Sequence, residues 1–133
     1  MARLSSVLLV DDDSTDNFLN QMLLSSMQVA DHVLIAESGP EALQTLADQC
    51  PEPSAPACPM LVLLDVNMPG MNGIEFLEAY RHTPQSQHPP VIIMLTTSMR
   101  SRDLDRLEEL SIAGLVQKPL TREKVETILQ LHF

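Results

Sequence analysis

Three consecutive aspartates, Asp11, Asp12 and Asp13, follow the apolar run Val7-Leu8-Leu9-Val10, and Asp65 follows Met60-Leu61-Val62-Leu63-Leu64. Farther along, Thr96 ends the run Val91–Leu95, and Lys118 follows Leu115–Gln117. Carboxylates a few ångströms apart repel one another, more so when buried. A hard divalent cation relieves that repulsion, and a site of few carboxylates that keeps several waters suits Mg²⁺ better than an enclosed Ca²⁺ cage. A carboxylate is also a nucleophile toward phosphorus, forming an acyl phosphate. An ammonium can neutralise the equatorial oxygens of a phosphoryl group in transfer, and a hydroxyl can rotate onto one of them. This set of acids, hydroxyl and ammonium points to chemistry on a phosphoryl group. Lys118 also precedes Pro119. X-Pro bonds are the common cis peptides, and a cis bond here turns the lysine back toward the acids.

These residues need elements that bring them together. Short apolar runs alternate with segments of helical period, the pattern of βα repeats and a parallel sheet. Strands are expected at Val7–Val10, Val33–Ala36, Leu61–Leu64, Val91–Leu95 and Leu115–Gln117. Helical spacing relates Phe18, Leu19, Met22 and Leu23, then Ala42, Leu43, Leu46 and Ala47, then Ile74, Leu77 and Tyr80. Leu104, Leu107 and Leu110 mark a fourth helical segment, and Val125, Ile128, Leu129 and His132 a fifth. Ser14 or Thr15 can cap the first helix and Thr121 the fifth. The expected fold class is α/β, with five strands, five helices on both faces of the sheet and right-handed crossovers. In such sheets ligands bind outside the carboxyl ends of the strands, where all the candidate residues fall. The segment Cys50–Pro59 carries Pro51, Pro53, Pro56 and Pro59, which excludes helix interior and ladder strand. It reads as an extended, polyproline-like surface insertion.

The 133 residues suit one domain spanning 1–133, with 44% hydrophobic residues to fill a core. A formal net charge of −10 argues against nucleic-acid binding. No apolar stretch of about 18 residues is present to span a membrane. The first residues, Met-Ala-Arg-Leu-Ser-Ser, lack a signal peptide's apolar region, so a cytoplasmic chain is expected. In a reducing cytoplasm Cys50 and Cys58 are expected as free thiols rather than a disulfide.

The stretches Val10-Asp11-Asp12, Leu64-Asp65-Val66-Asn67-Met68-Pro69-Gly70-Met71-Asn72-Gly73, Leu95-Thr96 and Val116-Gln117-Lys118-Pro119 resemble the receiver domain of two-component response regulators. The resemblance implies a flavodoxin-like, doubly wound sheet of order 2-1-3-4-5. It implies that Asp65 accepts phosphate, and that Asp12 and Asp65 hold Mg²⁺ directly, Asp11 through water and Asn67 through its backbone carbonyl. Thr96 and Lys118 would bind the phosphoryl oxygens. The implied partners are a sensor histidine kinase or histidine phosphotransfer protein and a downstream target of unknown identity. The chain itself would be a stand-alone monomer or weak dimer and not an enzyme in its own right. Receivers commonly carry Tyr or Phe where this chain has Leu115, so the usual coupling of the Thr hydroxyl to an aromatic ring is not expected. Two alternatives differ in class. An aspartate-nucleophile phosphatase needs an acid two residues after the nucleophile, where Asn67 stands. A phosphate-independent scaffold would have lost one of the five site residues, and all are present.

Overall fold

The computed structural model describes residues 3–52, 54–84, 88–97 and 112–133. Its strands are β1 (Leu4–Val10), β2 (Ala30–Ala36), β3 (Leu61–Asp65), β4 (Val91–Thr96) and β5 (Gly114–Gln117). They form one parallel sheet in the order β2-β1-β3-β4-β5. The helices among the described residues are α1 (Ser14–Ser26), α2 (Gly39–Gln49), α3 (Gly73–Tyr80) and α4 (Arg122–His132). The helical segment expected around Leu104, Leu107 and Leu110 lies outside the described residues.

Strand alternation divides the core between the two faces of the sheet. Leu8, Val10, Val62, Leu64, Ile92 and Met94 pack with Ala42 and Leu46 of α2 and Ile74, Phe76 and Leu77 of α3. Val7, Leu9, Leu61, Leu63, Ile93 and Leu95 pack with Leu24 of α1 and Val125, Ile128 and Leu129 of α4. Every residue of β3 is buried, as expected for a central strand covered on both sides. Each fully buried leucine or isoleucine contributes roughly 1.5–3 kcal/mol.

Register then places the candidate residues. Val10 pairs with Leu64, so Asp11 and Asp65 continue two adjacent strands side by side. Asp65 pairs with Leu95, and Thr96 pairs with Gln117, so Thr96 and Lys118 follow at the same edge of the sheet.

Four local expectations are corrected. Asp13, not Ser14 or Thr15, caps α1: its carboxylate accepts the backbone N–H groups of Thr15 at 2.8 Å and Asp16 at 3.3 Å. An ionised oxygen is a stronger acceptor than a hydroxyl for these unpaired helix-start donors. Thr121 does cap α4, accepting from Lys124 N–H. On α1 itself the buried residues are Asn17 and Leu24, while Phe18, Leu19 and Met22 are 58%, 55% and 55% exposed. The helix is where its apolar period placed it, yet most of the apolar stripe used to find it faces outward.

The third correction concerns Cys50 and Cys58, which form a disulfide rather than free thiols. The described residues of the proline segment are not extended as expected. Turns closed by Ala55 N–H to Glu52 O and Cys58 N–H to Ala55 O fold it back, leaving the two Cα atoms 4.7 Å apart. That separation suits a disulfide.

Candidate functional site

The edge formed by the carboxyl ends of the strands gathers the acids and the lysine. Asp11, Asp65 and Thr96 are buried, while Asp12 is exposed at the mouth. Oxygens of Asp11, Asp12 and Asp65 all lie within 4.8 Å of one another. Lys118 Nζ donates to Asp11 Oδ2 at 2.7 Å and to Asp16 Oδ2 at 3.2 Å, and stands 3.5 Å from Asp65 Oδ1. The Lys118–Pro119 bond is cis, and the backbone N–H of Lys118 donates to Thr96 O at 2.7 Å. Thr96 therefore sits directly against the turn that carries the lysine.

Asp11 is held at every polar atom. Its N–H donates to Ala36 O, its carbonyl accepts Asn17 Nδ2 at 2.8 Å, Oδ1 accepts Asp13 N–H at 2.9 Å, and Oδ2 accepts Lys118. Behind Asp65 the chain turns tightly into α3. Gly73 N–H donates to Val66 O, and a Cβ on Gly73 would fall 2.7 Å from Asp65 O and 2.9 Å from Met94 Cε. Only glycine permits that approach. Asn72 then caps α3 in a reciprocal pair with Glu75.

The electrostatics fit a cation site. Burial, then the charge of Asp11, pushes the Asp65 carboxyl up to about 6, against the opposing pull of Lys118 and the Asn67 N–H, which donates to Oδ1 at 3.3 Å. For Lys118, burial favours the neutral amine, but the bond to Asp11, the charges of Asp65 and Asp11, and the bond to Asp16 outweigh it and raise the ammonium's pKa. One ammonium leaves Asp65 with the cost of its own burial and, after that, with the repulsion of Asp11. A hard dication on the Asp11, Asp12 and Asp65 oxygens would remove it.

Of the expected residues, the structure brings Asp11, Asp12, Asp65, Thr96 and Lys118 to one edge; Asn67 sits beside Asp65 through its backbone. Leu115 packs, partly buried, against the α2–α3 side of the core. Two contributors were missed. Asp16, in the first turn of α1, accepts from Lys118. Lys124 Nζ donates to Gln117 O at 2.7 Å and Pro119 O at 2.9 Å, bracing the turn on which Lys118 stands. Its place seven residues after Gln117, inside a capped helix start, was the available signal.

Comparison with known proteins agrees with this geometry. The sequence profile of the response regulator receiver domain matches residues 7–130. A probable chemotaxis protein CheY of Rhizobium etli is 28% identical over 127 residues, covering 96% of this chain and 91% of that protein. Ethylene receptor 2 of Oryza sativa subsp. japonica is 33% identical over 115 residues; these are 86% of this chain but only 14% of the receptor. The solved structure of Vibrio cholerae chemotaxis protein CheY4 superposes with a TM-score of 0.81 at 28% identity, over 99% of this chain and 100% of that one. With a matching profile over nearly its whole length and a strand order to suit, the chain belongs to the response regulator receiver domain family, the phosphate-accepting domain of two-component signalling.

Proposed function

We propose that Asp65 accepts a phosphoryl group from a sensor histidine kinase or a histidine phosphotransfer protein, and that the phosphorylated domain signals by protein contact or by passing the group on. The observation that carries this reading is the placement of a buried carboxylate, Asp65, between two further acids and an ammonium at one strand edge. A carboxylate oxygen of Asp65 attacks phosphorus, the donor's N–P bond breaks, and its electron pair leaves with the donor imidazole. Lys118 and the Thr96 hydroxyl bind the phosphoryl oxygens. Asp12, Asp65 and the Asn67 carbonyl would hold Mg²⁺ directly and Asp11 through water, and the ion would supply charge neutralisation on the phosphoryl oxygens. The domain assists only its own phosphorylation and dephosphorylation.

Docking of a protein donor is supported by α1, which starts at the mouth of the site and exposes Phe18, Leu19 and Met22. No helix among the described residues is long and apolar enough to cross a membrane. The test is labelling by acetyl phosphate with Mg²⁺, which Asp65→Asn should abolish. Persistent labelling of that variant would remove Asp65 from the acceptor role.

A further inference from the structure

We propose that Asp16 is a positioning residue for Lys118: it competes with the acceptor for the ammonium, and so sets how tightly the site holds a phosphoryl group. This inference rests on the acceptor role of Asp65. An ammonium has three N–H donors, and Lys118 Nζ has three carboxylates around it. Asp11 and Asp16 are within hydrogen-bond distance at 2.7 and 3.2 Å, while Asp65, at 3.5 Å, is the most distant. The group that receives phosphate thus has the weakest hold on the lysine.

The two competitors differ in what a metal does to them. Asp11 belongs to the set of carboxylates whose oxygens lie within 4.8 Å of one another, so a cation held there would compete with Lys118 for its carboxylate. Asp16 is outside that set and keeps its pull on Nζ when the metal is present. Its backbone is pinned as well, because its N–H donates to the capping Asp13 carboxylate. Donor count does not force a choice, but position does: Nζ lies nearer Asp11 and Asp16 than Asp65, so moving it onto phosphoryl oxygens at Asp65 would lengthen the 3.2 Å bond to Asp16. An acid in the first turn of a helix also favours the helix by itself, and that simpler role has a different signature.

The decisive measurement is equilibrium binding of beryllium trifluoride, a phosphoryl mimic, at saturating Mg²⁺, followed by ¹⁹F NMR. The Asp16 side chain is 40% exposed, so the competing pair is a modest one. Asp16→Asn and Asp16→Ala should bind the mimic about twofold to fivefold more tightly, the range for a partly exposed ion pair. In a Lys118→Met background the same substitutions should change nothing, because the competition acts through the ammonium. Unchanged or weaker binding in the single variants overturns the proposal. So does a gain that persists without Lys118, which would be a general effect of charge. A fall in melting temperature with unchanged affinity would leave Asp16 a helix-start residue and also overturn it. Failure of the parent chain to bind the mimic would instead strike at the acceptor role of Asp65, a result distinct from normal parent binding with no gain at Asp16.

Discussion

Because burial and Asp11 push the Asp65 carboxyl up to about 6, the folded protein between about pH 4 and 6 keeps a proton that the unfolded chain has released. The sign follows: this proton's stabilisation is complete below the unfolded value of 3.8 and is lost as pH rises toward 6. At pH 7 without metal, the charged Asp65 is a net burden. Asp65→Asn should therefore stabilise the metal-free protein at pH 7 by about 1–3 kcal/mol, with the gain vanishing toward pH 4. Urea melts at the two pH values check this. Mg²⁺ must displace the same proton, so its affinity should fall about fivefold between pH 6 and pH 5, as read by titration calorimetry. The acids themselves were legible because each follows an apolar run that had to be a strand. The pairing of Asp16 with Lys118 was not, since it joins residues 102 apart and depends on how a helix start sits against a distant turn.

Among the elements, the junction between β3 and α3 tolerates the least change. Gly73→Ala would drive a Cβ against the Asp65 carbonyl and Met94, and backbone cannot yield as a side-chain tip can. It should cost about 1–3 kcal/mol and slow labelling by acetyl phosphate, because relief requires moving the end of β3. Gly70, at φ +78 and with open space around it, makes the control. Gly70→Ala should cost about 1 kcal/mol through backbone strain alone and leave labelling intact. Strand positions were legible from apolar runs, although β1 and β2 each begin three residues earlier than those runs suggested; the strand order came from the family resemblance alone. The orientation of α1 was not legible: the helix turns Leu24 and part of Leu23 into the core and Asn17 onto the Asp11 carbonyl, which leaves Phe18, Leu19 and Met22 outward.

On the scale of the molecule, the sheet has a working end and a closed end. The acids and Lys118 lie beyond the carboxyl ends of the strands, while the disulfide-closed proline loop leads into the amino end of β3. Cross-linking a loop of this length, with a sequence separation of 8, restrains the unfolded chain by about 2.5 kcal/mol. Cys50→Ser should cost stability of that order in denaturant melts, while labelling of Asp65 by acetyl phosphate stays unchanged. A large loss of labelling in the folded variant would mean that the two ends are coupled. Composition could count these cysteines but could not join them, because the joining depends on two turns that the prolines alone do not specify. The two lysines, by contrast, meet at the working end, Lys118 among the acids and Lys124 on the carbonyls of Gln117 and Pro119. Amine chemistry on lysine thereby becomes a footprint of one corner of the protein. A dye or a surface tethered through either side chain would disturb the very turn it was meant to observe, so labels for binding work belong on engineered thiols elsewhere.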